Sequence, residues 1–124
     1  MSDPRESVLI VEDEALIAEF LSILIEDMGI EVCGTAATAA AAIALAQEHR
    51  PKIVLMDVRL RGARDGVDAA LAIHESVGSK VIFLTGSREP ETIARIQTDH
   101  PTAVLFKPVS DWQLETAVRA ALRG

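Results

Sequence analysis

Three runs of four residues contain only apolar side chains, and they limit the fold of this chain more than any other feature. The runs cover residues 8–11, 53–56 and 81–84. A strand with one wet face alternates apolar and polar residues, whereas a strand covered by helices on both faces is apolar throughout. These runs therefore predict the central strands of a parallel sheet.

Strand-like and helix-like stretches alternate five times, which is typical of βαβ units in an α/β fold. The strands are predicted at residues 7–11, 30–33, 52–57, 80–85 and 103–106. The helices are predicted at residues 14–28, 39–48, 67–76, 90–99 and 111–123. Thr38, Asp65 and Ser110 are predicted N-caps, and Gly29 is expected to end the first helix. A chain of 124 residues matches one domain, so we expect a single domain over residues 1–124.

Charge and cysteine content narrow the classes of partner. The formal net charge is −7, which argues against a phosphate-binding face for nucleic acid and against attraction to anionic lipid. Cys33 is the only cysteine, so an internal disulfide is excluded and a thiolate metal site is disfavoured. Residues 1–6 lack the order of a signal peptide, and the chain has no apolar stretch of about 20 residues. These features predict a cytoplasmic protein that binds proteins and cations.

Carboxylates follow two of the predicted central strands. Glu12 and Asp13 come directly after the first strand, and Asp57 ends the third. An acidic pair alone is typical of a helix start, where negative charge is favourable. In a doubly wound sheet, however, ligands bind outside the carboxyl ends of the strands, so these groups should meet there. Gathered carboxylates require a cation or protonation, and an all-oxygen ligand set predicts magnesium or, alternatively, manganese.

Positively charged and hydrogen-bonding groups lie at the ends of the fourth and fifth strands. Thr85 and Gly86 end the fourth strand, and Lys107 and Pro108 follow the fifth. These groups could hold an anion together: an ammonium, a hydroxyl, exposed amides and a metal. We interpret that anion as a phosphoryl group. Asp57 would then be the nucleophile toward phosphorus, because a carboxylate can form an acyl phosphate.

The order of these motifs resembles the CheY-like receiver domains of two-component response regulators over essentially the whole chain. The resemblance implies a flavodoxin-like, doubly wound sheet of five parallel strands in the order 2-1-3-4-5, with five helices. It implies that Asp13 binds the metal directly and Glu12 mainly through water. The other implied ligands are Asp57 and the backbone carbonyl of Arg59.

The resemblance also implies how the site works. Thr85 and Lys107 would contact the phosphoryl oxygens, and a strained peptide between Lys107 and Pro108, cis in many members, would aim the lysine. A sensor histidine kinase or a histidine phosphotransfer protein would supply the phosphoryl group to Asp57. The chain would then be a stand-alone regulator or a phosphate sink with no output domain. It would be a phosphoacceptor and not an enzyme, and a monomer or weak dimer.

One position departs from the usual family pattern, and a second feature resembles a subgroup of the family. Many members have an aromatic residue three positions before the lysine, where this chain has Val104, which puts the usual aromatic switch in doubt. Residues 83–86 are similar to the Phe-Ala-Thr-Gly run of stand-alone receivers that work with histidine kinases of the HWE type. Arg59 and Ser87 stand where family members tune the lifetime of the phosphoryl group.

Two alternative functions remain open at this point. One is a phosphohydrolase like the haloacid dehalogenase group, which has a second aspartate two positions after the nucleophile, where this chain has Arg59. The other is a receiver-like module that binds a partner without phosphorylation. Surface expectations are open as well. The wide apolar arc of the first helix fits either a deep groove or a docking surface, and Trp112 either anchors a partner or covers the Pro108 loop.

Overall fold

A computed structural model describes residues 6–124 as one parallel sheet with helices on both faces. The strands are β1 (Ser7–Val11), β2 (Glu31–Ala36), β3 (Ile53–Asp57), β4 (Lys80–Thr85) and β5 (Ala103–Phe106). The helices are α1 (Ala15–Asp27), α2 (Ala39–His49), α3 (Gly66–Ser76), α4 (Pro90–Thr98) and α5 (Asp111–Arg123). The strand order is β2-β1-β3-β4-β5, so the predicted topology is confirmed. The prediction made from residues 1–6 falls almost wholly outside the described residues.

The three apolar runs occupy the middle of the sheet, as predicted. β1 and β3 are buried along their whole length, and β4 is buried after its first residue. Alternate side chains enter two separate cores, because successive residues of a strand point to opposite faces. One core joins the sheet to α2, α3 and α4, and the other joins it to α1 and α5. Burial on both faces therefore explains the unbroken apolar sequence.

The predicted helix caps are confirmed. The side chains of Thr38, Asp65 and Ser110 accept hydrogen bonds from backbone amides at the starts of α2, α3 and α5. Gly29 follows the C-cap of α1 with φ +79°, a left-handed conformation that glycine adopts without strain. Most boundaries of the predicted elements other than the second strand agree with the structure, and the rest differ from it by one residue.

The second strand is the largest boundary correction, because β2 runs from residue 31 to 36 and not from 30 to 33. Its last residues, Thr35 and Ala36, pair with Ile10 and Val11 of β1. Gly34 and Ala36 have weak strand preference, so sequence alone ends the strand too early. Pairing with the central strand β1 overrides that preference.

Several apolar side chains remain exposed at the surface. On α1, Leu16 is 82% exposed and Phe20 and Ile23 are each 51% exposed. Within the described part of the chain, therefore, no groove of the fold buries the whole apolar face of this helix. Trp112 on α5 is 73% exposed and does not cover the Pro108 loop. Within residues 6–124 no helix is both long and apolar enough to cross a membrane.

Candidate functional site

The carboxyl ends of the strands form one edge of the sheet, and a cavity of about 970 Å³ opens there. Because parallel strands all end at the same edge, residues distant in sequence meet in this cavity. Its walls include all six residues that the sequence analysis singled out: Glu12, Asp13, Asp57, Arg59, Thr85 and Lys107.

Three carboxylates lie close together on one side of the cavity. Glu12, Asp13 and Asp57 each offer an oxygen within 4.8 Å of the other two. Glu12 and Asp57 are buried, with 3% and 5% of their surface exposed. Glu12 Oε1 has no hydrogen-bond partner among the described residues. Buried carboxylates at this spacing repel one another, so the site favours a cation or a proton between them.

Lys107 supplies the ammonium that faces these carboxylates. Its Nζ lies 3.0 Å from Asp57 Oδ2 and 3.5 Å from Glu12 Oε1. Burial opposes the charged form, but the hydrogen bond to Asp57 and the charges of both acids raise the pKa of Lys107 above its usual value. The peptide between Lys107 and Pro108 is cis. Lys107 therefore stays protonated and directly beside the proposed nucleophile.

Thr85 connects the site to the loop that follows β4. Its side chain is buried, and its Oγ1 accepts a hydrogen bond of 3.0 Å from the backbone N–H of Ser87. Its carbonyl accepts a hydrogen bond of 2.8 Å from the backbone N–H of Lys107. The Thr85 hydroxyl is thus hydrogen-bonded to the loop that follows β4, and the backbone of β4 helps to fix the position of the Lys107 backbone.

The donor atoms fit a divalent cation such as magnesium. Carboxylate and carbonyl oxygens are the ligands that magnesium and manganese prefer. Among the described residues, no donor forms a hydrogen bond with the buried Glu12 Oε1. The single positive charge of Lys107 does not balance the three clustered carboxylates. The N–H of Arg59 donates to Asp57 Oδ1 at 3.3 Å, so the backbone of Arg59 follows closely on the acidic cluster.

Proton binding to Glu12 leads to a prediction about pH. Burial, together with the charge of Asp57, raises the pKa of Glu12 to about 7, although the N–H of Glu14 opposes this shift. Below that pH the carboxyl is protonated and a cation must displace the proton, whereas above it the carboxylate is free. We expect the affinity for Mg²⁺ to rise about tenfold from about pH 6 to about pH 8.

Calorimetric titration of the metal-free protein with magnesium would measure this dependence. The variant Glu12→Gln should bind more weakly and with a nearly flat pH profile. Glu19→Gln makes the same chemical change on the exposed face of α1 and should keep the native profile. A native affinity that does not change across this pH range would contradict the role given to Glu12.

Sequence reasoning missed three features in and around the cavity. Gly66 starts α3 directly against the backbone carbonyl of Asp57, so a side chain there would collide with it. Arg95 on α4 forms a bidentate ion pair with Asp65. Arg88 lies over the ring of Phe106, with 4.2 Å between its guanidinium carbon and the ring centre. No spacing rule relates these residues, so the sequence offered no pattern that would find them.

Comparisons with known proteins agree with this geometry. The model of the response regulator receiver domain matches residues 8–119. The transcriptional regulatory protein PdtaR of Mycobacterium tuberculosis is 36% identical over 119 residues, which cover 96% of this chain and 57% of PdtaR. The phyllosphere-induced regulator PhyR of Methylorubrum extorquens is 32% identical over 122 residues, which cover 98% of this chain and 45% of PhyR.

A solved structure supports the same conclusion. The signal receiver domain of a modulated diguanylate cyclase from Desulfovibrio desulfuricans G20 superposes with a TM-score of 0.88 at 36% identity. The match covers 94% of this chain and 93% of that one. The chain spans about half the length of the two curated relatives. Fold, acidic cavity and sequence similarity agree, and the chain belongs to the response regulator receiver domain family of two-component systems.

Proposed function

We propose that this chain is a phosphoacceptor in which Asp57 receives a phosphoryl group in a magnesium-dependent reaction. Receiver domains of response regulators are phosphorylated by histidine kinases, so the donor is a sensor kinase or a histidine phosphotransfer protein. The observation that carries the proposal is the position of Lys107 Nζ, 3.0 Å from Asp57 and 3.5 Å from Glu12, inside the acidic cavity. An anion attached to Asp57 would meet a positive charge immediately.

The transfer step needs only the donor, the cation, this chain and a proton from solvent. A carboxylate oxygen of Asp57 attacks phosphorus, a P–O bond forms, and the N–P bond of the phosphohistidine breaks as the imidazole takes a proton from water. When bound by Glu12, Asp13, Asp57 and the carbonyl of Arg59, magnesium would offset charge on the transferring oxygens. The ammonium of Lys107 would contact the same oxygens from the opposite side.

The readout would be a change in surface. Phosphorylation adds about −1.5 to −2 charges at Asp57. The hydroxyl of Thr85, which accepts from the N–H of Ser87, would donate its own proton to a phosphoryl oxygen and so couple the loop after β4 to phosphorylation. Val104 is half-buried against the core, so a swinging aromatic at that place has no counterpart in this chain. The same proposal includes a cytoplasmic location and a monomeric or weakly dimeric state. The phosphorylated chain would either bind a protein target or act as a phosphate sink, and it would catalyse the loss of its own phosphoryl group.

Acetyl phosphate provides a direct test, because it replaces the kinase by a small donor. Incubation with acetyl phosphate and magnesium should add the mass of one phosphoryl group to the intact protein, and a chelator should prevent it. Reduction of the acyl phosphate with borohydride, followed by peptide mapping, should place the modification on Asp57. No mass gain, or a modification elsewhere, would reject the proposal. Repeated turnover of a phosphate ester would favour a phosphohydrolase instead.

A further inference from the structure

Arg95 joins α4 to the start of α3 across the mouth of the cavity. Its Nη1 donates to Asp65 Oδ2 at 2.8 Å, and its Nη2 donates to Asp65 Oδ1 at 3.1 Å. Nη2 also lies 3.5 Å from Asp68 Oδ1. Such a bidentate arginine–carboxylate pair is stronger than an ion pair with a single hydrogen bond. Both Arg95 and Asp65 lie in the wall of the cavity that contains Asp57.

Asp65 closes the loop that leaves the phosphoacceptor. Besides pairing with Arg95, it caps α3 by accepting from the amides of Val67 and Asp68. Burial opposes its ionisation, but the hydrogen bond from Arg95 and those from the α3 amides lower the pKa of Asp65 below its usual value. The carboxylate is therefore charged throughout the physiological range, and the pair persists there.

The loop itself is short and tied at its base. The N–H of Gly66 donates to the carbonyl of Val58 at 2.7 Å, and Gly66 abuts the carbonyl of Asp57. On the far side, the N–H of Arg61 donates to the carbonyl of Ala37 at 3.3 Å. At the other end of the loop, the ion pair between Arg95 and Asp65 connects the loop to α4.

We propose that the ion pair between Arg95 and Asp65 is a clamp that positions residues 58–65 over Asp57. Arg95 is then a positioning residue for the phosphoacceptor, and the clamp slows the attack of water on the acyl phosphate. This inference rests on the proposed function. An exposed ion pair contributes little to stability, so its loss should change the rate of hydrolysis or of loop opening by no more than about fivefold. The effect is therefore local and leaves global stability nearly unchanged.

Three variants test the clamp. Arg95→Gln removes the charge and the fork, and Asp65→Asn removes the carboxylate but keeps an oxygen that can cap α3. The double variant shows whether the two residues act as one pair. Arg119→Gln is the matched control, because Arg119 pairs with Glu115 on α5 at a similar exposure.

Two measurements separate the clamp from a general loss of stability. Hydrogen–deuterium exchange in the metal-free, unphosphorylated protein reports the opening of residues 58–66 directly. Intact mass after removal of acetyl phosphate reports the lifetime of the phosphoryl group. Arg95→Gln should speed exchange in this loop and shorten the lifetime, each by about two- to fivefold, with unchanged thermal unfolding. The double variant should match the single variants, and Arg119→Gln should match the native protein.

The outcomes distinguish the clamp from the function on which it rests. Native exchange and lifetime in Arg95→Gln, equal effects in Arg119→Gln, or additive effects in the double variant would each overturn the clamp. A native protein that takes up no phosphoryl group would instead overturn the proposed function, while the exchange experiment would still test the loop.

Discussion

Replacing Asp57 by asparagine should reduce phosphoryl incorporation from acetyl phosphate below detection. The amide lacks the negatively charged oxygen that attacks phosphorus, and it cannot form an acyl phosphate. Glu12 is a poor substitute, because it is buried and its Oε2 already accepts from the N–H of Glu14. Intact mass after incubation with acetyl phosphate and magnesium would measure the loss.

Two controls make this result specific to the nucleophile. Asparagine has nearly the same shape as aspartate and keeps an oxygen for the N–H of Arg59, so circular dichroism should show an intact fold. Asp27→Asn makes the same change at an exposed carboxylate on α1 and should be phosphorylated like the native protein. Equal mass gains in the native protein and Asp57→Asn would remove Asp57 from its proposed role.

The placement of the site was predictable because parallel strands share one carboxyl edge. Once the apolar runs were assigned to central strands, Glu12, Asp57 and Thr85 had to emerge at the same edge. The structure adds what the strand pattern could not supply, namely which atoms touch. Lys107 reaches both Asp57 and Glu12, 50 residues from the former, and this contact depends on how β5 pairs with β4. The roles of these residues remain predictions.

Other features escaped the sequence because they depend on tertiary contacts between elements of ordinary composition. Arg95 meets Asp65 across 30 residues, and neither position shows a pattern that marks it as paired. The end of β2 is decided by pairing with β1 and not by the strand preference of Gly34 or Ala36. Exposure of the apolar residues of α1 likewise depends on how the neighbouring elements pack against it, which helical periodicity alone leaves open.

Gly66→Ala should destabilise the protein strongly although alanine is the better helix former. A Cβ at this position would collide with the backbone carbonyl of Asp57 and lie 2.8 Å from its carbonyl carbon. No rotamer relieves this contact, so the start of α3 or the end of β3 must move. Alanine in a helix gains up to about 1 kcal/mol over glycine, whereas overpacking against fixed backbone costs typically 1–3 kcal/mol and sometimes more.

The clash should outweigh the helix preference, because it falls on backbone that is buried and hydrogen-bonded. We place the cost at the upper end of this range, so the expected net loss in the free energy of unfolding is about 2 kcal/mol, measured by chemical denaturation, with slower phosphoryl incorporation as Asp57 shifts. Gly86→Ala is the matched control, because within the described structure a Cβ there meets no atom within 4 Å and φ is not left-handed. Its stability should change by less than about 0.5 kcal/mol. If Gly66→Ala were as stable as Gly86→Ala, α3 would not be packed against the phosphoacceptor as described.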